Sequence, residues 1–300
     1  MKWVRRIGML LIGVMIIGAG AAAAVYGMSE RRLSARYTVT PESPSPAVAD
    51  SVLQARGRHV AESLAKCVDC HSSDFGGGIV IDAPPVGHIE ATNLTTGNGG
   101  VLAEYDDGAL ERAIRHGIAK DGRSLLVMPS SDYNHLADND VAALIAYIRS
   151  RPSVNRTHAR STIGPVLRAM WIAGKVDPMP AAVIAHDAPH LKTAPVGNSV
   201  ETGMYIAQNG CAGCHGATYS GGPIPGGPPD WKPAANITST GIGRYSLENF
   251  RTILREGKRP DGSVVDSMMP VKATRQMTDD EIEAVFKFLN KVPPKEFGNR

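Results

Sequence analysis

Cys-x-x-Cys-His occurs twice in this chain, at Cys67-Val68-Asp69-Cys70-His71 and at Cys211-Ala212-Gly213-Cys214-His215, and the two copies use all four cysteines of its 300 residues. That pairing narrows the chemistry sharply. A structural zinc site wants a second Cys-x-x-Cys roughly 15–20 residues away, and here the second copy lies 144 residues on. A redox dithiol of the thioredoxin kind needs a βαβ setting, which the sequence lacks. Two local disulfides would suit an exported protein. None of these readings gives the histidine a part.

The rest of the chain repeats around the two motifs. Asn-Leu-Thr at 93–95, Tyr105, Asp121-Gly122 and Met128-Pro129 return as Asn-Ile-Thr at 236–238, Tyr245, Asp261-Gly262 and Met269-Pro270. The offsets stay between 140 and 144, so the chain is an internal duplication separated by small loop insertions. Each copy ends in an apolar i, i+3, i+4, i+7 stripe, Val141/Leu144/Ile145/Ile148 and Ile282/Val285/Phe286/Leu289, which predicts an amphipathic helix. Thr278 and Glu281 form a capping box at the start of the second. Two further short helices are expected, ended by Gly117 and by Gly257. No strand pair with a hairpin signal stands out. The expected fold class is mainly α.

Cys-x-x-Cys-His is the attachment signal for c-type haem. The two thiols add to the porphyrin, and the adjacent histidine becomes a ligand to its iron. Cys67, Cys70, Cys211 and Cys214 are therefore expected to hold two haem c groups covalently, with His71 and His215 as axial ligands. Aromatic content of 5% is thin for two packed cores, which a large apolar cofactor in each would fill. The sixth iron ligand falls to Met128 and Met269, which recur with a following proline 57 and 54 residues after their histidines. Thioether ligation stabilises ferrous iron and raises the potential. Met268 aligns with Val127 and is passed over. The remaining histidines (His59, His88, His116, His135, His158, His186, His190) do not recur at aligned places and read as surface or propionate-side groups.

Lys2, Arg5 and Arg6 precede an uncharged run from Ile7 to Gly27, 21 residues long. About 20 apolar residues span a bilayer as a helix, and Trp3 and Tyr26 flank the run as interfacial aromatics. The basic flank places the N-terminus in the cytoplasm and the body of the protein on the other side. A cleaved signal peptide is the competing reading, because four alanines at 21–24 offer cleavage sites. The net charge of +3 and the lack of a basic, aromatic-interleaved stretch speak against nucleic-acid binding. Residues 47–150 carry 8 Lys/Arg against 14 Asp/Glu, whereas residues 195–300 carry 12 against 11. Glu104, Asp106 and Asp107 are thus candidates for an acidic docking face.

Each unit resembles a class I cytochrome c: a helix into Cys-x-x-Cys-His, a Gly/Pro loop, a middle helix, a Met-Pro loop and a C-terminal helix. Over about residues 50–296 the chain is similar to diheme, membrane-anchored cytochromes c, including the cytochrome subunits of periplasmic alcohol and gluconate dehydrogenases. The haem subunit of cbb3-type oxidases is a sibling. The uncharged run gives an anchor or signal at 1–28 and composition a Pro/Ser-rich spacer at 29–48; with the resemblance, a cytochrome domain is expected at 49–152, a linker at 153–196 and a second cytochrome domain at 197–300. In the linker, residues 165–175 are expected to form a short helix whose Met170 and Trp171 pack against one domain. The resemblance also implies electron transfer rather than catalysis. A single-pass subunit of the cytoplasmic membrane, its haem domains in the periplasm, would relay electrons from a membrane-associated dehydrogenase to a quinone, a cytochrome or a terminal oxidase. No acid/base pair or nucleophile recurs near the motifs, so no catalytic residue is expected. A diheme cytochrome c peroxidase, or another substrate-oxidising diheme enzyme, is the alternative. A peroxidase needs an open iron position, which two matching Met-Pro segments argue against.

Overall fold

The computed structural model describes residues 2–42, 50–228 and 230–300. Helix α1 (Lys2–Leu33) is followed by the first unit: α2 (Ser51–His59) running into a π-helical turn (Val60–Leu64), α3 (Val68–His71), α4 (Asp107–His116), α5 (Ser130–Tyr133) and α6 (Asp138–Arg149). The linker carries α7 (Pro165–Ile172). The second unit repeats the plan with α8 (Val200–Gly210), α9 (Ala212–His215), α10 (Ser239–Ile242), α11 (Leu247–Glu256), α12 (Val271–Thr274) and α13 (Asp279–Lys291). The expected capping box is present on α13, and Ser246 with Asn249 makes another on α11. Gly117 and Gly257 end their helices with φ of 64° and 72°, the left-handed stop that glycine adopts without a Cβ penalty.

In both units the helix that leads into the cysteines crosses the C-terminal helix at a glycine. A Cβ on Gly57 would overlap the Ala143 carbonyl and press on Tyr147, and one on Gly203 would overlap the Ala284 carbonyl and press on Phe288. Beside each crossing stands one edge-to-face aromatic pair, Phe75–Tyr147 at 5.7 Å and Tyr219–Phe288 at 5.4 Å between ring centres. The scarce aromatics are thus spent at equivalent places.

The two units share one continuous core. Val60, Leu64, Leu136 and Val141 of the first join Tyr205, Ile206, Ile282 and Leu289 of the second. Polar contacts seal the seam. The Tyr205 hydroxyl donates to Asp140 at 2.7 Å and accepts the Ala137 amide at 3.0 Å. Arg56 grips the buried Asp140 carboxylate with two bonds of 2.7 Å. His59 reaches Glu281 at 2.8 Å.

Four features depart from the sequence reading. A three-stranded antiparallel sheet exists: β1 (Gly78–Ala83) pairs with β2 (Gly87–Ala91), which pairs with β3 (Thr162–Ile163) from the linker. Its strands are short and half-exposed, and the turn between the first two has no Asn-Gly signal. The first helix continues to Leu33, so residues 29–33 are helical and not spacer; residues 43–48 of the expected spacer lie outside the described residues. Trp171 is buried in a small second core with Ile89, Ile163, Leu167 and Met179, but Met170 is 40% exposed. His116 is buried rather than superficial, its Nδ1 3.0 Å from that of His186, and His59 spans the seam between units.

Replacing Gly57 or Gly203 by alanine is expected to destabilise the protein by about 1–3 kcal/mol or more, the usual cost of overpacking. Denaturant unfolding followed by circular dichroism measures it. Gly13→Ala, at a position with open space around it, is the neutral comparison.

Candidate cofactor sites

Each Cys-x-x-Cys-His segment folds as a single helical turn, closed by the His71 amide on the Cys67 carbonyl and by the His215 amide on the Cys211 carbonyl, both at 2.9 Å. One turn places two thiols and an imidazole on adjacent faces. The imidazoles are oriented identically. His71 Nδ1 lies 2.8 Å from the Thr92 carbonyl, and His215 Nδ1 lies 2.8 Å from the Ala235 carbonyl. A carbonyl only accepts, so Nδ1 carries the proton and Nε2 is left with a free lone pair. This is the usual way a metal-binding histidine is fixed in tautomer and direction. Burial holds both imidazoles below their ordinary pKa, which keeps them neutral.

The accepting carbonyls are held in turn. Asn93 follows Thr92 directly and is fully buried. Its amide donates to the carbonyls of Val154 (2.7 Å) and Arg156 (3.1 Å), and its oxygen accepts the Thr95 amide (3.0 Å) and hydroxyl (2.8 Å). Asn236 does the same after Ala235, with Lys295 as carbonyl partner at 2.7 Å and Thr238 as donor. The repeated Asn-x-Thr was visible in the sequence without a role. Its role is to tie the histidine-orienting carbonyl to the chain that leaves the C-terminal helix.

The methionines are presented by matching turns. Pro129 (φ −80°, ψ 49°) and Pro270 (φ −78°, ψ 64°) lie close to the inverse γ-turn geometry. The Ser130 amide closes onto the Met128 carbonyl and the Val271 amide onto the Met269 carbonyl, each at 2.8 Å. Met128 and Met269 are partly buried against the main core, whereas Met268 is 37% exposed.

In the first unit Cys70, His71 and Met128 line one cavity of about 1280 Å³, with Leu94, Leu110 and Ile148 among its walls. A thiol, a neutral imidazole and a thioether beside the apolar wall of Leu94, Leu110 and Ile148 fit an iron porphyrin, and His158, Arg160 and Arg168 line the more polar part of the same cavity. Other readings of the cysteines fit less well. Burial pushes Cys67 up to about 12 and Cys211 up to about 11, the opposite of the lowered thiol of a reactive dithiol. Among the described residues no three His, Cys, Asp or Glu side chains converge as a metal cluster.

The two attachment segments touch. Lys66 and Gly210 each precede the first cysteine of their motif, and Lys66 Nζ donates to the Gly210 carbonyl and to the Leu64 carbonyl, both at 3.0 Å. Lys66 sits at φ 52°, a left-handed conformation that costs a residue with a Cβ some strain. Asp132, two residues beyond the Pro129-Ser130 turn, lies so close over Gly213 that a Cβ there would collide with its carboxylate.

These features define a c-type cytochrome unit built twice. The cytochrome c family model matches residues 54–152 and again 200–293, and the chain belongs to that family. Cytochrome c domains carry covalently attached haem. Similar proteins include the "Alcohol dehydrogenase (quinone), cytochrome c subunit" of Komagataeibacter europaeus, 29% identical over 82% of this chain and 57% of the relative. The "Gluconate 2-dehydrogenase cytochrome c subunit" of Pantoea cypripedii is 28% identical over 83% of this chain and 61% of its own length. The "Fructose dehydrogenase cytochrome subunit" of Gluconobacter japonicus is 28% identical over 85% and 56%. The chain thus spans a little over half the length of these relatives.

Asn93→Ala would remove the amide donor from the Val154 and Arg156 carbonyls, and Asn236→Ala that of Lys295, a loss of about 1–3 kcal/mol. Thermal unfolding of each variant is expected to show it, together with a weakened histidine–iron signature in the resonance Raman spectrum of the affected unit.

Proposed function

We propose that this chain is a membrane-anchored electron-transfer subunit holding two haem c groups, one per unit, that passes electrons from a membrane-associated dehydrogenase to a respiratory acceptor. The observation that carries the reading is the duplicated histidine arrangement, with its two attachment segments joined through Lys66. The haems, when bound, supply reversible one-electron chemistry. Cys67 and Cys70, and Cys211 and Cys214, would hold them covalently. His71 and His215 would ligate iron through Nε2, with the proton kept on Nδ1 by Thr92 and Ala235. Met128 and Met269 would each supply a thioether to the iron, which would keep water and other small ligands away from it. Lys66 ties the two attachment turns together and Asp132 packs closely over Gly213, so that the sites are neighbours rather than beads on a tether. A carrier needs this rigidity more than it needs reactive side chains.

The dehydrogenase donor is supported by the relatives, which are cytochrome subunits of alcohol, gluconate and fructose dehydrogenases by their descriptions. A quinone, a cytochrome or a terminal oxidase serves as acceptor. The anchor is α1, long and apolar enough to cross a membrane. With Lys2, Arg5 and Arg6 on the cytoplasmic side, both units face the periplasm. On the acidic first unit Glu104 and Asp106 are exposed for docking, Asp106 also capping α4, while Asp107 pairs with Arg149. The peroxidase alternative needs one open iron position, and the same proline turn presents a methionine in each unit.

Two haems per chain are expected by pyridine haemochrome assay and intact mass. Met128→Ala and Met269→Ala should each remove about half of the near-infrared sulfur–iron charge-transfer band, in keeping with thioether ligation. A wild-type protein with one high-spin haem would instead favour the peroxidase.

A further inference from the structure

Helix α7 buries an arginine between two apolar side chains on its inner face and is wholly apolar on its outer one. Leu167 and Trp171 turn inward and are buried, with Arg168 between them. The outer face, Pro165, Val166, Ala169, Met170 and Ala173, is exposed along its whole length and carries no polar side chain. Val166 is 44% and Met170 40% exposed. An unbroken apolar face of this kind marks an interaction surface, and among the described residues none covers it.

The position of α7 indicates what covers it. Its inner face is clamped to the end of α1. Arg168 donates to the Ser29 hydroxyl at 2.5 Å and to Glu30 at 2.6 Å, and its guanidinium lies 4.4 Å over the Tyr26 ring. Arg32 returns the contact, donating to the Trp171 carbonyl at 3.4 Å and lying over its indole at 5.3 Å. Tyr26 is the last aromatic of the uncharged run, and Ser29 stands three residues, about 4.5 Å, beyond it along the helix axis. The headgroup layer adds about 5–7 Å to each side of the hydrocarbon. Where α1 leaves the hydrocarbon, α7 is therefore held at headgroup depth. Exposed Arg31, Arg32, Arg160 and Lys175 lie around it in the chain, and cations at that depth pair with lipid phosphates.

We infer that α7 is a membrane-surface helix whose outer face, centred on Val166 and Met170, beds into the lipid headgroup layer beside α1 and fixes the first unit against the bilayer. The inference rests on the reading of α1 as a membrane span. It gives the linker a binding surface for lipid, in addition to joining the two units. The first unit then has one fixed face toward the membrane, and its partners must approach from the others.

The test uses the full-length, haem-loaded protein in vesicles of phosphatidylcholine and phosphatidylglycerol. A single nitroxide is placed on Met170→Cys, on Val14→Cys within α1, or on Met204→Cys, an exposed position of the second unit; the native cysteines are occupied by haem. Label accessibility to oxygen, which enters lipid, is compared with accessibility to a water-soluble nickel chelate. At 170 the oxygen-to-nickel ratio is expected to be several times that at 204 and below that at 14, as for a shallow lipid position. If 14 reports lipid but 170 behaves like 204, the inference falls and the anchor stands. If 14 itself reports water, the anchor reading fails first and takes the inference with it. Nickel accessibility at 170 that is lost only on adding a partner dehydrogenase, or dipolar broadening between labels at 170 on separate copies, would assign the face to protein and overturn the inference.

Discussion

Backbone must meet backbone where α2 crosses α6 and where α8 crosses α13, and glycine is what allows it. Each crossing fixes the line along which the chain runs into its two cysteines, and so fixes where the attachment turn emerges relative to the C-terminal helix. The remaining parts are set from there. Asn93 and Asn236 hang on the chain just past the C-terminal helix and hold the carbonyl that aims the histidine. The proline turns then present a methionine in each unit, and in the first Met128 lines the same cavity as His71.

Much of this is legible in the sequence because it is periodic or local. The apolar stripes of α6 and α13, the capping box at Thr278 and the glycine stops at Gly117 and Gly257 each involve residues within one or two turns of each other. The duplication adds a second reading of every feature, which is how Met269 is distinguished from its neighbour Met268. What the sequence does not display is contact at long range. Nothing in the neighbourhood of Tyr205 announces that its hydroxyl belongs to Asp140 of the other unit. Nor do residues 28–33 advertise a helix, because its stabilising partner Arg168 lies 139 residues from Ser29. The sheet escapes notice for a related reason: β3 is two residues long and exists only because the linker returns to lie beside β2.

The linker does more than span the gap between units. Its first part supplies the carbonyls of Val154 and Arg156 to Asn93, its middle supplies β3 and the helix that meets α1, and in its last part the Leu191 and Lys192 carbonyls accept the Asp138 and Asn139 amides at the start of α6. It is thus wrapped onto the first unit along its length. The second unit has no such wrapping and instead uses its own C-terminal tail, where Lys295 plays to Asn236 the part that Val154 plays to Asn93.

Lys66 occupies a position that its counterpart Gly210 fills with no side chain at all, and its ammonium spends two hydrogen bonds on joining the halves. The duplicated copies have therefore diverged into complementary roles, one supplying the arm and the other the socket. Cut apart, the first half would leave that ammonium without its Gly210 partner, and the second would expose the buried ring of Tyr205. The duplication still visible in the residues is thus joined across a seam that each copy completes with different groups.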